Sequence, residues 1–193
     1  MKIIDDWLAS ARRVDSCNCD DRPDVRDISV VVIHCISLPP GEFSGEWIDC
    51  LFTNALEAAA HPYFEGLRGL RVSAHALIRR DGEIVQYVPF HRRAWHAGIS
   101  NYQGRGCCND FSIGLELEGA DDIPYTEVQY ERLSDLLVAL FKKYPGLSPD
   151  RIVGHSDIAP DRKTDPGPSF DWGRLYSLLS LRGFQSDRMR RSL

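Results

Sequence analysis

The sequence lacks the features that would direct this chain into a membrane or out of the cell. It contains no run approaching the ~18 uninterrupted apolar residues that a transmembrane helix needs. The first residues, MKIIDDWLASARRVDS, carry acidic side chains early and have no apolar segment of the kind found in a secretory signal. We therefore expect a protein that has no transmembrane helix and stays in the cytoplasm.

An excess of positive charge is also missing. The chain has 23 basic and 28 acidic residues and a net charge of -5. We therefore expect no nucleic-acid partner, and an anionic substrate would have to meet a local basic patch. The sequence has no internal repeat, low-complexity tract or linker. Its 193 residues suffice for one domain with a full hydrophobic core, so we expect a single domain over 1–193, with its core at about 5–182, and a monomer.

We expect reduced cysteines rather than a disulfide framework. Their spacing is irregular, and reduced thiols are the default in a mid-sized chain in which we find no export signal. Cys17 and Cys19 are an alternative half of a zinc site, but no matching Cys or His pair stands at zinc-finger or zinc-ribbon spacing. The cysteines are Cys17, Cys19, Cys35, Cys50, Cys107 and Cys108.

Hydrophobic patterning predicts an α/β (α+β) domain with a mixed central sheet packed by helices, because strands and helices follow one another along the chain. Asp81-Gly82 is a strong hairpin signal between two of the strands. Thr126, with Gln129 three residues later, predicts a capped helix start. The predicted strands are 28–36, 73–80, 83–88, 111–118 and 151–154, and the predicted helices are 5–13, 46–53, 126–143 and 171–182.

Two histidines stand at the ends of predicted strands, where open α/β sheets usually carry their functional groups. His34 is near the end of 28–36, and His155 follows 151–154. Two such histidines can meet in space although they are far apart in sequence. The alternative, which is the more common outcome for a random pair, is that both are ordinary, partly buried side chains.

The segment after the second histidine, GHSDIAPDRKTDPGPSFDW, is rich in Pro, Gly and Asp. Such a loop is rigid and irregular, and it can hold polar side chains at fixed positions. Asp165 lies ten residues past His155, so the loop can fold back and bring both side chains to one ion. Two histidines and one carboxylate with an open fourth position are typical of a catalytic zinc site.

Two further residues are candidates for the chemistry of such a site. In FSIGLELEG the side chains of Gly114, Glu116 and Glu118 share one strand face, opposite Phe111, Ile113, Leu115 and Leu117. Glu116 is a candidate general base, beside a glycine that leaves room for a ligand, unless this face simply points to solvent. Lys163, in the rigid loop, is a candidate for stabilising an oxyanion, unless it is a solvated surface lysine.

Long blocks of the sequence resemble the AmpD-type 1,6-anhydro-N-acetylmuramyl-L-alanine amidases and, more distantly, the peptidoglycan-recognition-protein fold. The resemblance covers about residues 5–180. The blocks that carry it are VVIHCISLPPGEF, HPYFEGLRGLRVSAHALIRRDGEIVQYVPF, RAWHAGISNYQGR, NDFSIGLELEG and GHSDIAPDRKTDPGPSFDW.

This resemblance implies one zinc ion on His34, His155 and Asp165, with Glu116 and Lys163 as the catalytic pair. It implies an amidase that cleaves the lactyl–L-alanine amide of anhydromuropeptides released during wall turnover. That recycling role agrees with the expected cytoplasmic location.

The substrate contacts are expected from the same blocks. Arg71 and Arg105 would meet carboxylates of the stem peptide. Trp95, Tyr63 and Phe64 would face the sugar, unless they belong to the core.

The chain departs from the family pattern at two positions. Cys35 stands where members often carry Asn, and Cys107 stands where they often carry a second basic residue. His75 and His96 lie in family blocks and are expected near the groove without binding the metal directly. His61 and His91 are not expected to be ligands.

Two rival functions remain open. Non-catalytic peptidoglycan-binding relatives typically lack one metal ligand, whereas this chain keeps all three candidates. A zinc amidase of wider specificity acting on intact wall would normally need export.

Overall fold

The computed structural model describes residues 1–187, and most of its strands are only two or three residues long. The strands are β1 (Ile3–Ile4), β2 (Trp7–Leu8), β3 (Arg12–Arg13), β4 (Cys19–Asp21), β5 (Val30–Ile36), β6 (Ala76–Ile78), β7 (Ile84–Gln86), β8 (Arg92–Ala94), β9 (Asn101–Tyr102), β10 (Arg105–Gly106), β11 (Ser112–Glu118) and β12 (Ile152–Gly154). The α-helices are α1 (Trp47–Phe52), α2 (Glu127–Lys143), α3 (His155–Ile158) and α4 (Trp172–Leu181). The 3-10 helices are Ala58–Ala60, Pro62–Leu67, Cys108–Asp110 and Pro149–Arg151.

The central sheet is mixed, as predicted. Its strand order is β12-β5-β11-β6-β7-β3. The pairs β12–β5, β5–β11, β11–β6 and β7–β3 are parallel, and β6–β7 is antiparallel. β5 and β11 are the longest strands and lie side by side near the middle. This position agrees with the β-branched run in β5, because a parallel strand covered on both faces needs apolar side chains on both.

Helices cover the two faces of the sheet unequally, and this leaves room for a site. α2 and α4 pack against Ile113, Leu115 and Leu117 of β11, all fully buried. On the opposite face α1 packs over β6 and β7 with Phe64 and Tyr87. The side chains of β11 that point to this second face are small or polar. Phe111 belongs to a separate apolar cluster, so its expected place beside Ile113 was wrong.

Most predicted elements are confirmed, although the observed strands and helices are shorter than predicted. The predicted strand 28–36 is β5, 111–118 is β11 and 151–154 is β12, while 46–53, 126–143 and 171–182 correspond to α1, α2 and α4. The predicted hairpin is β6–β7. Its loop includes Gly82 at a φ of +88°, a left-handed conformation that glycine adopts without strain.

The predicted helix at 5–13 is wrong. Asp5 and Asp6 both have positive φ, 48° and 64°, and form a tight turn that pairs β1 with β2. Leu8 is buried, and its backbone N–H donates to the Gln86 side-chain oxygen at 2.6 Å. The apolar spacing is compatible with a helix, but a helix this short is marginally stable by itself. The pairing of β1 with β2 and the hydrogen bond to Gln86 stabilise the segment more.

No helix in the part of the chain that the structure describes is both long and apolar enough to cross a membrane. All six cysteines are free. The domain bounds of 1–193, with a core at about 5–182, remain a prediction, and 188–193 lie outside the described residues.

Removing the predicted helix cap tests how far α2 depends on it. Thr126 accepts from the backbone N–H of Gln129, and the Gln129 side chain accepts from the backbone N–H of Thr126 at 3.0 Å. We expect Thr126→Ala to lower the free energy of unfolding in urea by about 1 kcal/mol, because a backbone donor loses its acceptor. Thr126→Ser keeps the hydroxyl and should retain most of the stability. Equal losses in both variants would contradict this role of the hydroxyl.

Candidate active site

The two strand-end histidines and the loop aspartate meet at one edge of the sheet. His34 lies near the carboxyl end of β5, and His155 directly follows the neighbouring parallel strand β12. Both imidazoles are almost fully buried, at 2% and 3% exposure. Asp165 reaches them from the loop after α3. The structure therefore brings together all three residues that were predicted as metal ligands.

The ligand atoms form a nearly equilateral triangle. His34 Nδ1 lies 3.0 Å from His155 Nδ1, and each nitrogen lies 3.1 Å from Asp165 Oδ2. Among the described residues, His34, His155 and Asp165 form a cluster that could hold a metal ion. Neither Cys17 nor Cys19 belongs to this cluster. A tetrahedral ion with bonds of about 2.0–2.1 Å holds its ligand atoms about 3.3–3.4 Å apart. The triangle fits such an ion after a small outward movement.

Proton placement on the two imidazoles supports this fit. His155 Nε2 lies 3.1 Å from the carbonyl oxygen of Ala97, which can only accept, so Nε2 carries the proton and Nδ1 is bare. Burial lowers the pKa of His34 to about 4, so its ring is neutral at pH 7. Electron pairs of imidazole and carboxylate thus converge on one point, an arrangement that a bound cation stabilises.

The loop that carries the aspartate is fixed by close packing. The backbone N–H of Ser156 donates to the Asp165 carbonyl at 3.0 Å, and the Tyr125 hydroxyl donates to the Pro166 carbonyl at 2.8 Å. A Cβ on Gly154 would lie 2.8 Å from Pro166 Cδ, so only glycine allows the loop this close to β12. These contacts hold the Asp165 carboxylate in place before any ion binds.

Glu116 lies beside the histidine of β5. The two residues are register partners in the parallel pair β5–β11, so their side chains emerge on the same face. The Glu116 side chain is buried, and its Oε2 has no hydrogen-bond partner in the part of the chain that the structure describes. Burial raises the pKa of Glu116 well above its ordinary value and the charge of Asp165 raises it further, whereas the Lys163 ammonium opposes both.

A cleft of about 440 Å³ opens over this group and is also lined by Lys163. Tyr63 lies at the rim, 46% exposed, whereas Phe64 is fully buried and belongs to the core. The cleft lining includes the apolar side chains of Ile36, Leu38, Leu51, Leu67, Leu70 and Val72. The cleft therefore combines polar, titratable groups with apolar side chains, as ligand sites commonly do.

The predicted substrate contacts are not part of this cleft lining. Arg71 lines a smaller adjoining pocket of about 270 Å³. Trp95 is half-buried and is tied through its backbone to Ser73. Arg105 is exposed, with its guanidinium 2.5 Å from Asp27 and over the Phe111 ring. Their contacts with a substrate stay predictions.

The two departures from the family pattern lie in different surroundings. Cys35 lines the cleft next to His34, and burial raises the pKa of its thiol to about 12. A thiol of that pKa is neutral at pH 7. Cys107 is exposed and has a φ of +58°.

The sequence predicted that His96 lies near the groove but did not show what its ring contacts. The space above Gly114, expected to admit a ligand, is filled by the His96 ring, because a Cβ there would lie 2.4 Å from His96 Cγ. His96 Nδ1 is 2.9 Å from Nε2 of His34, and His96 Nε2 is 3.2 Å from the Ser112 hydroxyl. The glycine in the strand was the available signal, but it did not reveal what occupies the space.

Comparison with known proteins gives a consistent result. A family model described as N-acetylmuramoyl-L-alanine amidase matches residues 24–168. The chain is 59% identical over 180 residues to the 1,6-anhydro-N-acetylmuramyl-L-alanine amidase AmpD of Citrobacter freundii. This alignment covers 93% of this chain and 96% of that protein. The chain is 58% identical over 180 residues to the enzyme of the same name from Escherichia coli K12, with 93% and 98% covered.

Solved structures agree with the sequence matches. A crystal structure of a selenomethionine derivative of AmpD superposes with a TM-score of 0.91 at 60% identity, covering 93% of this chain and 99% of that one. The amidase AmiD from E. coli, solved with the substrate anhydro-N-acetylmuramic acid-L-Ala-D-γ-Glu-L-Lys, superposes with a TM-score of 0.58 at 30% identity, covering 83% of this chain and 59% of that one.

Binding of an ion to the triangle should stabilise the fold measurably. Zn²⁺ at 100 times its dissociation constant should raise the free energy of unfolding by about 2.7 kcal/mol, because only the folded chain presents the three ligands together. Asp165→Ala should lose most of this gain in denaturant titrations with and without Zn²⁺. Asp161→Ala, an exposed aspartate in the same loop, is the matched control. Equal stabilisation of the two variants would contradict the site.

Proposed function

The chain belongs to the N-acetylmuramoyl-L-alanine amidase family and is an amidase of that class, and we propose that it is a zinc enzyme that opens the lactyl–L-alanine amide of anhydromuropeptides. The observation that carries the proposal is the buried Oε2 of Glu116, which has no hydrogen-bond partner among residues 1–187, beside the triangle of His34, His155 and Asp165. A buried polar atom without a partner is rare in a native fold, and here it faces the cleft.

Zinc is the ion that we propose for the triangle. Two imidazole nitrogens, one carboxylate oxygen and an open fourth position are the donor set of catalytic zinc sites. When bound there, zinc would supply a Lewis acid that polarises the amide carbonyl and acidifies the attacking water. The chain's own contribution is to hold His34, His155 and Asp165 in place through the Ala97 carbonyl and the packed Asp165 loop.

Glu116 is the proposed general base and general acid. Its raised pKa makes the carboxylate a better proton acceptor, and its protonated form persists to a higher pH than that of an ordinary glutamate, so that it can also act as the donor. In this scheme Oε2 takes a proton from the attacking water and returns it to the leaving L-alanine nitrogen. No hydrogen bond to a neighbouring side chain must break before Oε2 accepts the proton.

Lys163 is the proposed donor to the oxyanion. It lines the cleft, and its backbone N–H donates to the Ala159 carbonyl at 3.0 Å, which fixes its position in the loop. An ammonium there would oppose the negative charge that develops on the amide oxygen. The same charge favours the ionised form of Glu116, so the two groups are electrostatically linked.

The choice of substrate rests on the relatives. Relatives that are 58% and 59% identical to this chain are named as 1,6-anhydro-N-acetylmuramyl-L-alanine amidases, and two related proteins have been solved with anhydromuropeptide ligands. The apolar side chains in the cleft lining suit a bicyclic anhydro sugar, because burying a free C1 hydroxyl without a partner is costly. We accordingly propose a monomeric enzyme of wall-fragment recycling that acts in the cytoplasm.

Turnover of defined substrates tests this function. We expect rapid release of the peptide from an anhydromuropeptide, slower release from the matching ordinary muramyl peptide, and loss of activity when a chelator removes zinc. Binding of both compounds without cleavage by the zinc-loaded protein would instead indicate a non-catalytic binding module. Equal cleavage of both compounds would favour an amidase of wider specificity.

Substitutions at the two proposed catalytic residues should separate chemistry from metal binding. Lys163→Ala should lower the turnover rate about 100-fold or more through loss of an oxyanion donor. Glu116→Gln should lower it by about 10²–10⁴-fold through loss of proton transfer. Both variants should retain one zinc per chain by elemental analysis. Near-normal turnover in either variant, or loss of its zinc, would refute the assigned role.

A further inference from the structure

A chain of hydrogen bonds leads from a backbone carbonyl to one of the proposed zinc ligands. The Ser112 hydroxyl lies 2.6 Å from the Cys108 carbonyl oxygen and 3.2 Å from His96 Nε2. His96 Nδ1 in turn lies 2.9 Å from His34 Nε2. The other ring nitrogen of His34, Nδ1, is the atom that faces His155 and Asp165.

The direction of every bond in this chain follows from its carbonyl end. The Cys108 carbonyl can only accept, so the Ser112 hydroxyl donates to it and must accept from His96 Nε2. A neutral His96 ring then has a bare Nδ1, which accepts from His34 Nε2. That leaves His34 with a bare Nδ1. The opposite direction would place a proton on His34 Nδ1 and block it as a ligand.

We propose that His96, oriented by Ser112, is a positioning residue that fixes the tautomer and ring orientation of His34 so that Nδ1 is free to bind zinc. This inference rests on the zinc site of the proposed function. The Nε2 of His155 is likewise held by the backbone carbonyl of Ala97. The ring nitrogen of each histidine that faces away from the triangle therefore has its own hydrogen-bond partner. Such partners raise metal affinity because they restrict the ligand before the ion arrives.

Two independent contacts hold His96 beside His34. The backbone N–H groups of His96 and Ala97 both donate to Asn109 Oδ1, at 3.1 and 2.8 Å. The ring lies against the bare backbone of Gly114, where a Cβ would come within 2.4 Å of Cγ and 2.6 Å of Nδ1. The glycine in the middle of β11 therefore gives space to the positioning imidazole.

The direct test compares two replacements of His96 by their zinc affinity. Leucine fills the space without an acceptor, whereas the Oδ1 of asparagine can take the place of Nδ1. The dissociation constant for Zn²⁺, measured by competition with a chromophoric chelator, should rise about 10–100-fold in His96→Leu, the range typical for such partners. His96→Asn should recover most of the affinity. His91→Leu, an exposed histidine outside the cleft, is the matched control and should be unchanged.

A proton signal reports the hydrogen bond itself. In the zinc-loaded wild-type protein the Nε2–H of His34 should give a hydrogen-bonded imidazole resonance that exchanges slowly with solvent. His96→Leu should lose this signal, and His96→Asn should keep it. A role of His96 in packing alone predicts no difference between the two variants in either measurement.

A second test disturbs His96 without removing a polar group. Gly114→Ala should weaken Zn²⁺ binding, because the added methyl displaces the ring. In a His96→Ala background the same change has no ring to displace, so its effect on zinc affinity should vanish. Thermal unfolding of the metal-free variants identifies any that have lost the fold.

The outcomes separate this inference from the function on which it rests. Failure of the wild-type protein to bind zinc would refute the zinc site and the positioning role together. Tight zinc binding by the wild type, with equal affinity in folded His96→Leu, would refute the positioning role alone. An effect of Gly114→Ala that persists without the His96 ring would also overturn it.

Discussion

Three electron-pair donors that converge in a buried place are the constraint on which this structure depends. His34 Nδ1, His155 Nδ1 and Asp165 Oδ2 lie 3.0–3.1 Å apart, and the two imidazoles are shielded from water. Like partial charges at that distance repel strongly in a low dielectric. A bound cation would remove the repulsion, and the surrounding fold holds the three groups together without one.

Much of the local sequence can be understood as support for this arrangement. Parallel pairing of β5 with β11 and β12 brings Glu116 and His155 to either side of His34. Gly154 allows the Asp165 loop to pack closely, and Gly114 makes room for His96. Burial raises the pKa of Glu116, and the charge of Asp165 raises it further. The ionisation of Glu116 and the charge at the triangle are therefore coupled.

The sequence predicted the features that depend on local pattern. The β-branched run of β5 and the capping box of α2 follow from short-range rules, and the structure has both. The helix at 5–13 failed because Asp5 and Asp6 adopt a turn that is favoured by pairing elsewhere. His96 was expected near the groove, but the contact of its ring with Gly114 cannot be read from spacing. The strand ends and the rigid loop predicted the three candidate ligands and the family resemblance strengthened that prediction, while the proton direction along the histidines required coordinates.

The anomalous scattering of a zinc-loaded crystal, measured at the zinc absorption edge, tests the central claim most directly. The account predicts one strong peak within about 2.0–2.2 Å of His34 Nδ1, His155 Nδ1 and an oxygen of Asp165. A peak at another group, coordination through the Nε2 atom of either histidine, or no peak at these residues in a fully loaded protein would contradict it.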